Sequence, residues 1–205
     1  MGQHDYPRVL VDGYWDLTPR ALKSPIASVL PGKVYSARAT GTTVSLVFVD
    51  TLTGPEIALL DGEVTTLQSG FDPLPLLKAD RIKKVITKTA ELLAQGAVFD
   101  ADDGNGDQTY AIMGEARFQI CTVYGLYAIN HAGANTFFPT TIPNIDGTLD
   151  IAYVDALAIE PLVDQVMATH LFFGDAGKAL CVSINAAVSV AAVNAIADSR
   201  TWPMP

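Results

Sequence analysis

Phe71-Asp72-Pro73-Leu74-Pro75 separates two differently patterned parts of a 205-residue chain. Two prolines this close together hold the residues before them in extended backbone, which makes the segment the best candidate for a domain boundary. The reading is residues 1–73 as an N-terminal β-rich domain with one helix, and 74–205 as a mostly α-helical C-terminal domain with a small hairpin. The expected class is therefore α+β.

Upstream of the boundary, Lys33 to Ala39 and Thr43 to Val49 are rich in Val, Tyr, Thr and Phe, with Thr40-Gly41-Thr42 between them. Strand-forming runs on either side of a glycine turn predict a hairpin. Arg8-Val9-Leu10-Val11 is a second strand candidate, closed by an Asp12-Gly13 turn. Pro19, Pro25 and Pro31 argue against a long helix between these strands. The one helix predicted here starts at Thr53-Gly54-Pro55-Glu56. Thr53 or Gly54 caps it, and Pro55 suits a first turn because its missing N–H has no partner there anyway. Ile57, Leu60, Val64 and Leu67 follow at helical spacing, and Ser69-Gly70 closes the element.

Downstream, Leu76 to Gln95 carries Ile82, Val85 or Ile86, Thr89 and Leu93 on one helical face, with Gly96 placed to end it. Ala97-Val98-Phe99 and Thr109-Tyr110-Ala111 flank an acidic turn and read as the small hairpin. A second helix is expected from Met113 to near Gly133, then loop or short strand from Phe137 to Thr148 around an Asp146-Gly147 turn. A long helix follows, with the stripe Val163, Val166 or Met167, His170, Phe173, Gly177, Leu180 or Cys181, and Ile184. Pro161 is expected in its first turn. Gly174 and Gly177 each weaken a helix by about 1 kcal/mol relative to Ala, so a close helix contact is expected at both. Ser189 is placed to cap a last helix, with Val190, Val193 and Ile196 inward.

Bulk properties exclude several classes of function. Apolar residues make up 49% of the chain and charged ones 17%, enough to bury a core. The formal charge of −9 opposes the phosphate backbone, so no nucleic-acid partner is expected. The cluster Lys78, Arg81, Lys83, Lys84 and Lys88 reads as a solvated helix face. No run approaches the roughly 18 apolar residues of a membrane span, so no membrane insertion is expected. The start Met1-Gly2-Gln3-His4-Asp5-Tyr6-Pro7 lacks the basic and apolar parts of a signal peptide. Tyr6 also stands where a myristoylation motif wants Ser or Thr.

Each chemical motif meets a simpler reading. Asp100-Ala101-Asp102-Asp103-Gly104-Asn105-Gly106-Asp107 has the acidity of a calcium loop. An EF-hand register begun at Asp100 puts Gly104 and Ala111 where ligands belong, and one begun at Ala101 loses the first ligand. A solvated turn is expected, with an irregular calcium site as the alternative. Gly174-Asp175-Ala176-Gly177-Lys178-Ala179 lacks the earlier glycine and the final Ser or Thr of a phosphate loop and continues a helical stripe. His4, His131 and His170 have no metal-ligand spacing, and His170 reads as a core or interface histidine. Cys121 and Cys181 lie in apolar helical patterns and are expected as reduced core residues; a disulfide would need their helices side by side. Trp202 is expected to anchor the tail on the last helices. No catalytic, cofactor-binding or metal residue is assigned, and no enzymatic activity is expected.

Several pieces of the second part form an ordered set of packing features. They are Arg81-Ile82 opening a helix, Leu93-Ala94-Gln95-Gly96-Ala97-Val98-Phe99 leading into a strand, an alanine-rich helix after Tyr110, Phe138-Pro139 and Asp146-Gly147-Thr148-Leu149. A long helix with a late His170 follows, then Ala179-Leu180 through Ile184-Asn185-Ala186-Ala187-Val188-Ser189-Val190-Ala191-Ala192-Val193-Asn194-Ala195-Ile196. From about Leu76 to Pro203 the chain resembles a domain of unknown function common in tailed-phage and prophage genomes, a family often encoded among tail-fibre and other virion structural genes. The acidic insertion at Asp100 to Asp107 departs from the family's simple turn. No functional residues carry over, because the family has no assigned activity.

The resemblance implies a bacteriophage virion structural protein: a tail fibre, baseplate or tail-associated component mediating assembly or host attachment. It would be assembled in the host cytoplasm with other virion proteins as partners, as a homo-oligomer of which a trimer is one form. The alternatives are a fibre assembly chaperone, a capsid decoration protein and a host-surface glycan-binding module.

Overall fold

A computed structural model describes residues 2–100, 104–113, 140–147, 150–153 and 156–204. Past Met113 the helix expected up to Gly133 lies outside the described residues, as do Cys121, His131, Phe137 and Phe138. The chain forms two compact units, Met1–Lys78 and Ala79–Pro205.

The first unit is built on a three-stranded antiparallel sheet of order β1-β5-β4. Strand β4 (Tyr35–Thr40) turns through Gly41 and Thr42 into β5 (Thr43–Phe48). Gly41 takes φ 55°, the conformation a two-residue hairpin turn demands of its first residue and glycine adopts without strain. Strand β5 alternates as its composition requires, with Val44, Leu46 and Phe48 buried. Its second edge is covered by β1 (Gly2–Pro7), which sets His4 opposite Leu46 and Tyr6 opposite Val44. A polar sequence such as Gln3-His4-Asp5 gives little strand signal, and β1 was not expected. The expected strand at Arg8 to Val11 shortens to β2 (Leu10–Val11), paired with β3 (Tyr14–Trp15) around Asp12 and Gly13.

Two helices cover this sheet, which corrects the expectation of one. The additional one is α1 (Pro19–Val29). Thr18 caps it by accepting the Ala21 N–H at 3.1 Å, and Pro19 occupies the first turn. Leu22 and Ile26 lie one turn apart and bury fully. Burial of that stripe outweighs the one backbone bond forfeited at Pro25 inside the helix. Helix α2 (Gly54–Ser69) forms as expected. Glu56 accepts the Thr53 N–H at 2.7 Å and the Thr53 hydroxyl at 2.9 Å, and Leu60 and Val64 enter the core. Polar ties add specificity: the Tyr6 hydroxyl donates to Asp61 at 2.7 Å, and buried Asp16 accepts from the backbone of Val9 and Leu17 and from Gln68.

Helix α3 (Leu74–Ala94) starts within the expected boundary segment, its first N–H capped by the Asp72 carboxylate at 2.9 Å. In the second unit it leads, through Gly96 at φ 89°, into the hairpin of β6 (Ala97–Asp100) and β7 (Asp107–Tyr110). Strand β8 (Thr140–Pro143) lies where loop or short strand was expected, and it pairs antiparallel with β9 (Asp150–Tyr153), a strand past that stretch that was not expected. Helix α4 spans Ala156–Ala186 and α5 spans Val190–Ala195. Pro161 is not in the first turn of α4, as expected, but further in. The apolar run Ile159, Leu162, Val163, Val166 buries on both sides of the proline and carries the helix across it. The core joins these residues and Phe173 to Leu92, Leu93, Ala97, Tyr110, Ile112 and Ile142. Among the described residues, no helix is long and apolar enough to cross a membrane.

Candidate functional site

Helices α3 and α4 approach closely at Gly177 and line a groove beside it. At the contact, a β-carbon added to Gly177 would lie 2.6 Å from the Thr89 hydroxyl and 2.7 Å from an Arg200 guanidinium nitrogen. Only a residue without a side chain fits. Gly174 has open space around it instead, so the close contact expected at both glycines holds at Gly177 and fails at Gly174.

Arg200 fixes the crossing. Its side chain is 3% exposed, and its guanidinium donates to the Thr89 hydroxyl, to the carbonyls of Phe173 and Val85 at 3.3 Å, and to Asp198 at 2.8 and 2.9 Å. A planar cation with several donors suits this convergence of acceptors. The bonds from Arg200 are the main reason the Asp198 carboxyl titrates at about 2 instead of 3.8, with partial burial opposing them and Lys88 adding attraction. The tail beyond Arg200 is held by the Trp202 indole, which donates to the Gly96 carbonyl at 3.1 Å. Trp202 therefore anchors at the end of α3 rather than on the last helices. Sequence reading missed Arg200 and Asp198, since no periodicity marks a side chain whose partners lie on other elements.

Beside the crossing runs a groove of about 610 Å³. Val85, Ile86, Ala90 and Leu93 of α3 line one wall, and Leu171, Cys181 and Val182 of α4 the other. Ile86, Met113, Leu171 and Val182 are exposed along it. The polar members are Thr89, His170, Asp175 and Lys178. Thr89 also donates to the Val85 carbonyl, and Lys178 pairs with Asp175 at 3.0 Å. His170 is half-buried on the groove wall, Cys181 is a half-buried free thiol there, and His4 packs edge-on to Phe48 in the other unit.

Among the described residues, the other sequence motifs form no ligand site of their own. Gly174 to Ala179 is interior to α4 and forms no phosphate loop. Asp100 and Asp107 face each other at the turn end of β6 and β7, while Ala101, Asp102 and Asp103 lie outside the described residues. Among the described residues, no three His, Cys, Asp or Glu side chains group to hold a metal. On α3, Lys84 pairs with Asp80 and Lys88 with Asp198. No family model, no curated protein and no solved structure matches this chain.

Proposed function

We propose that this chain is a structural component of a tailed-phage particle that works by binding other protein surfaces through the α3–α4 groove. The exposed apolar side chains of Ile86 on one wall and Leu171 and Val182 on the other carry this reading. Exposed apolar side chains gathered on one face mark interaction sites more often than bare surface. An open groove along two helices suits another polypeptide, with apolar anchors at helical spacing. The family resemblance of residues 76–203 supplies the virion setting, in the tail, fibre or baseplate.

Mass spectrometry of purified particles tests the reading. The expected result is the chain at a stoichiometric copy number, with Val182→Asp reducing its incorporation. Absence from finished particles, with presence in the lysate, would instead assign it to assembly as a chaperone.

A further inference from the structure

We infer that the occupant of the groove is a second copy of this chain, docked with its α4 antiparallel to the first about a two-fold axis passing between residues 176 and 177. Leu171, Asp175, Lys178 and Val182 are spaced four, three and four residues apart, so at 100° per residue they share one narrow face of α4. All four line the groove, and all four are exposed, Leu171 by 51% and Val182 by 67%.

Their order is apolar, acid, base, apolar, with spacing that reads the same from either end. An antiparallel copy therefore sets Leu171 against Val182 of the second copy and Asp175 against its Lys178, and each contact occurs twice. That is the self-complementarity an isologous interface requires. A parallel arrangement about a three-fold axis brings each residue against its own equivalent, Asp175 on Asp175, and is disfavoured by like charge. Within one chain Asp175 and Lys178 already pair at 3.0 Å while largely open to water. The two-fold joins both pairs into a four-charge cluster flanked by apolar contacts, which strengthens it by excluding water. This inference rests on reading the groove as an interaction surface, not on the virion setting.

Sedimentation velocity on the full chain over a concentration series provides the test. A dimer is expected. Val182→Asp places a carboxylate opposite Leu171 and should leave only monomer. Asp175→Lys should weaken the dimer by about tenfold or more, because Lys then faces Lys. The double variant Asp175→Lys with Lys178→Asp restores both cross-pairs in reversed sense and should recover the affinity to within about threefold. All these positions are exposed, and circular dichroism at each step confirms an intact fold. A wild-type monomer, a trimer, or a dimer indifferent to these changes would overturn the inference. An occupant from elsewhere in the chain would show as a monomer that melts lower when Val182 becomes Asp. A monomer that still enters particles would overturn the two-fold alone and leave the virion proposal standing.

Discussion

Two glycines three positions apart on α4 are predicted to respond oppositely to one added methyl group. Gly174→Ala meets nothing within 4 Å and should stabilise the second unit by about 1 kcal/mol through helix propensity. Gly177→Ala drives its methyl into Thr89 and Arg200 and should destabilise by about 1–3 kcal/mol. Urea melts of the two variants check both signs. In an Arg200→Ala background the Gly177→Ala cost should shrink, since half of the clash is gone, and a double-mutant cycle reads that coupling. Arg200→Ala alone should cost roughly 2–3 kcal/mol, because it removes charged hydrogen bonds and strands their acceptors. Acid should act through the same cluster. Asp198 has a folded pKa of about 2 against an ordinary 3.8. Its carboxylate therefore stabilises the fold fully above the ordinary value, and that contribution is lost as pH falls through about 2. Asp198→Asn should flatten the loss of melting temperature over that window; an unchanged slope would remove Asp198 from the account. Nothing along the sequence announced this cluster, because Thr89, Gly177 and the Asp198–Arg200 pair are distant in the chain and meet only once α3 and α4 have packed.

Elements were legible where a local signal and a burial pattern agreed. Thr53, Pro55 and Glu56 start α2 and Ile57, Leu60, Val64 continue it, so capping and period point the same way. Thr40-Gly41-Thr42 between two alternating runs fixed the β4–β5 hairpin. Helix α1 was hidden because its prolines argue locally for a turn, while Thr18, Leu22 and Ile26 argue for a helix that only the sheet beneath can select. Strand β1 was hidden because its alternation is of half-buried Gly, His and Tyr, not of aliphatic residues. The start of α4 shows the same conflict at Pro161, which lies in the helix yet is exposed. Pro161→Ala should therefore remove no packing and return the missing backbone bond to residue 157. The expected gain is up to about 3 kcal/mol, read as a higher melting temperature of the second unit. No change would mean that the helix already accommodates the proline by bending.

At the scale of the whole molecule, the two units have separate hydrophobic cores, and among the described residues none belongs to both. Each also carries one of the chain's 2 tryptophans, Trp15 in Met1–Lys78 and Trp202 in Ala79–Pro205. Cooperative unfolding follows a shared core, so each unit is expected to melt as its own transition. Single-tryptophan variants, Trp202→Phe and Trp15→Phe, then report one unit each by fluorescence. Phe173 is fully buried in the second core, and Phe173→Asp places an unpaired carboxylate there at a cost of several kcal/mol, about the stability of a domain of this size. In that background the Trp202 transition should vanish at room temperature while the Trp15 transition keeps its midpoint. Loss of both together would mean that the units stabilise each other strongly enough to fold as one, and a boundary near residue 74 would then mark a change of architecture without a change of cooperativity. Retention of both would mean that Phe173 is dispensable to the core. The long helix would then not be held by its buried stripe, and the placement of the opposite, exposed face that lines the groove would lose its physical basis.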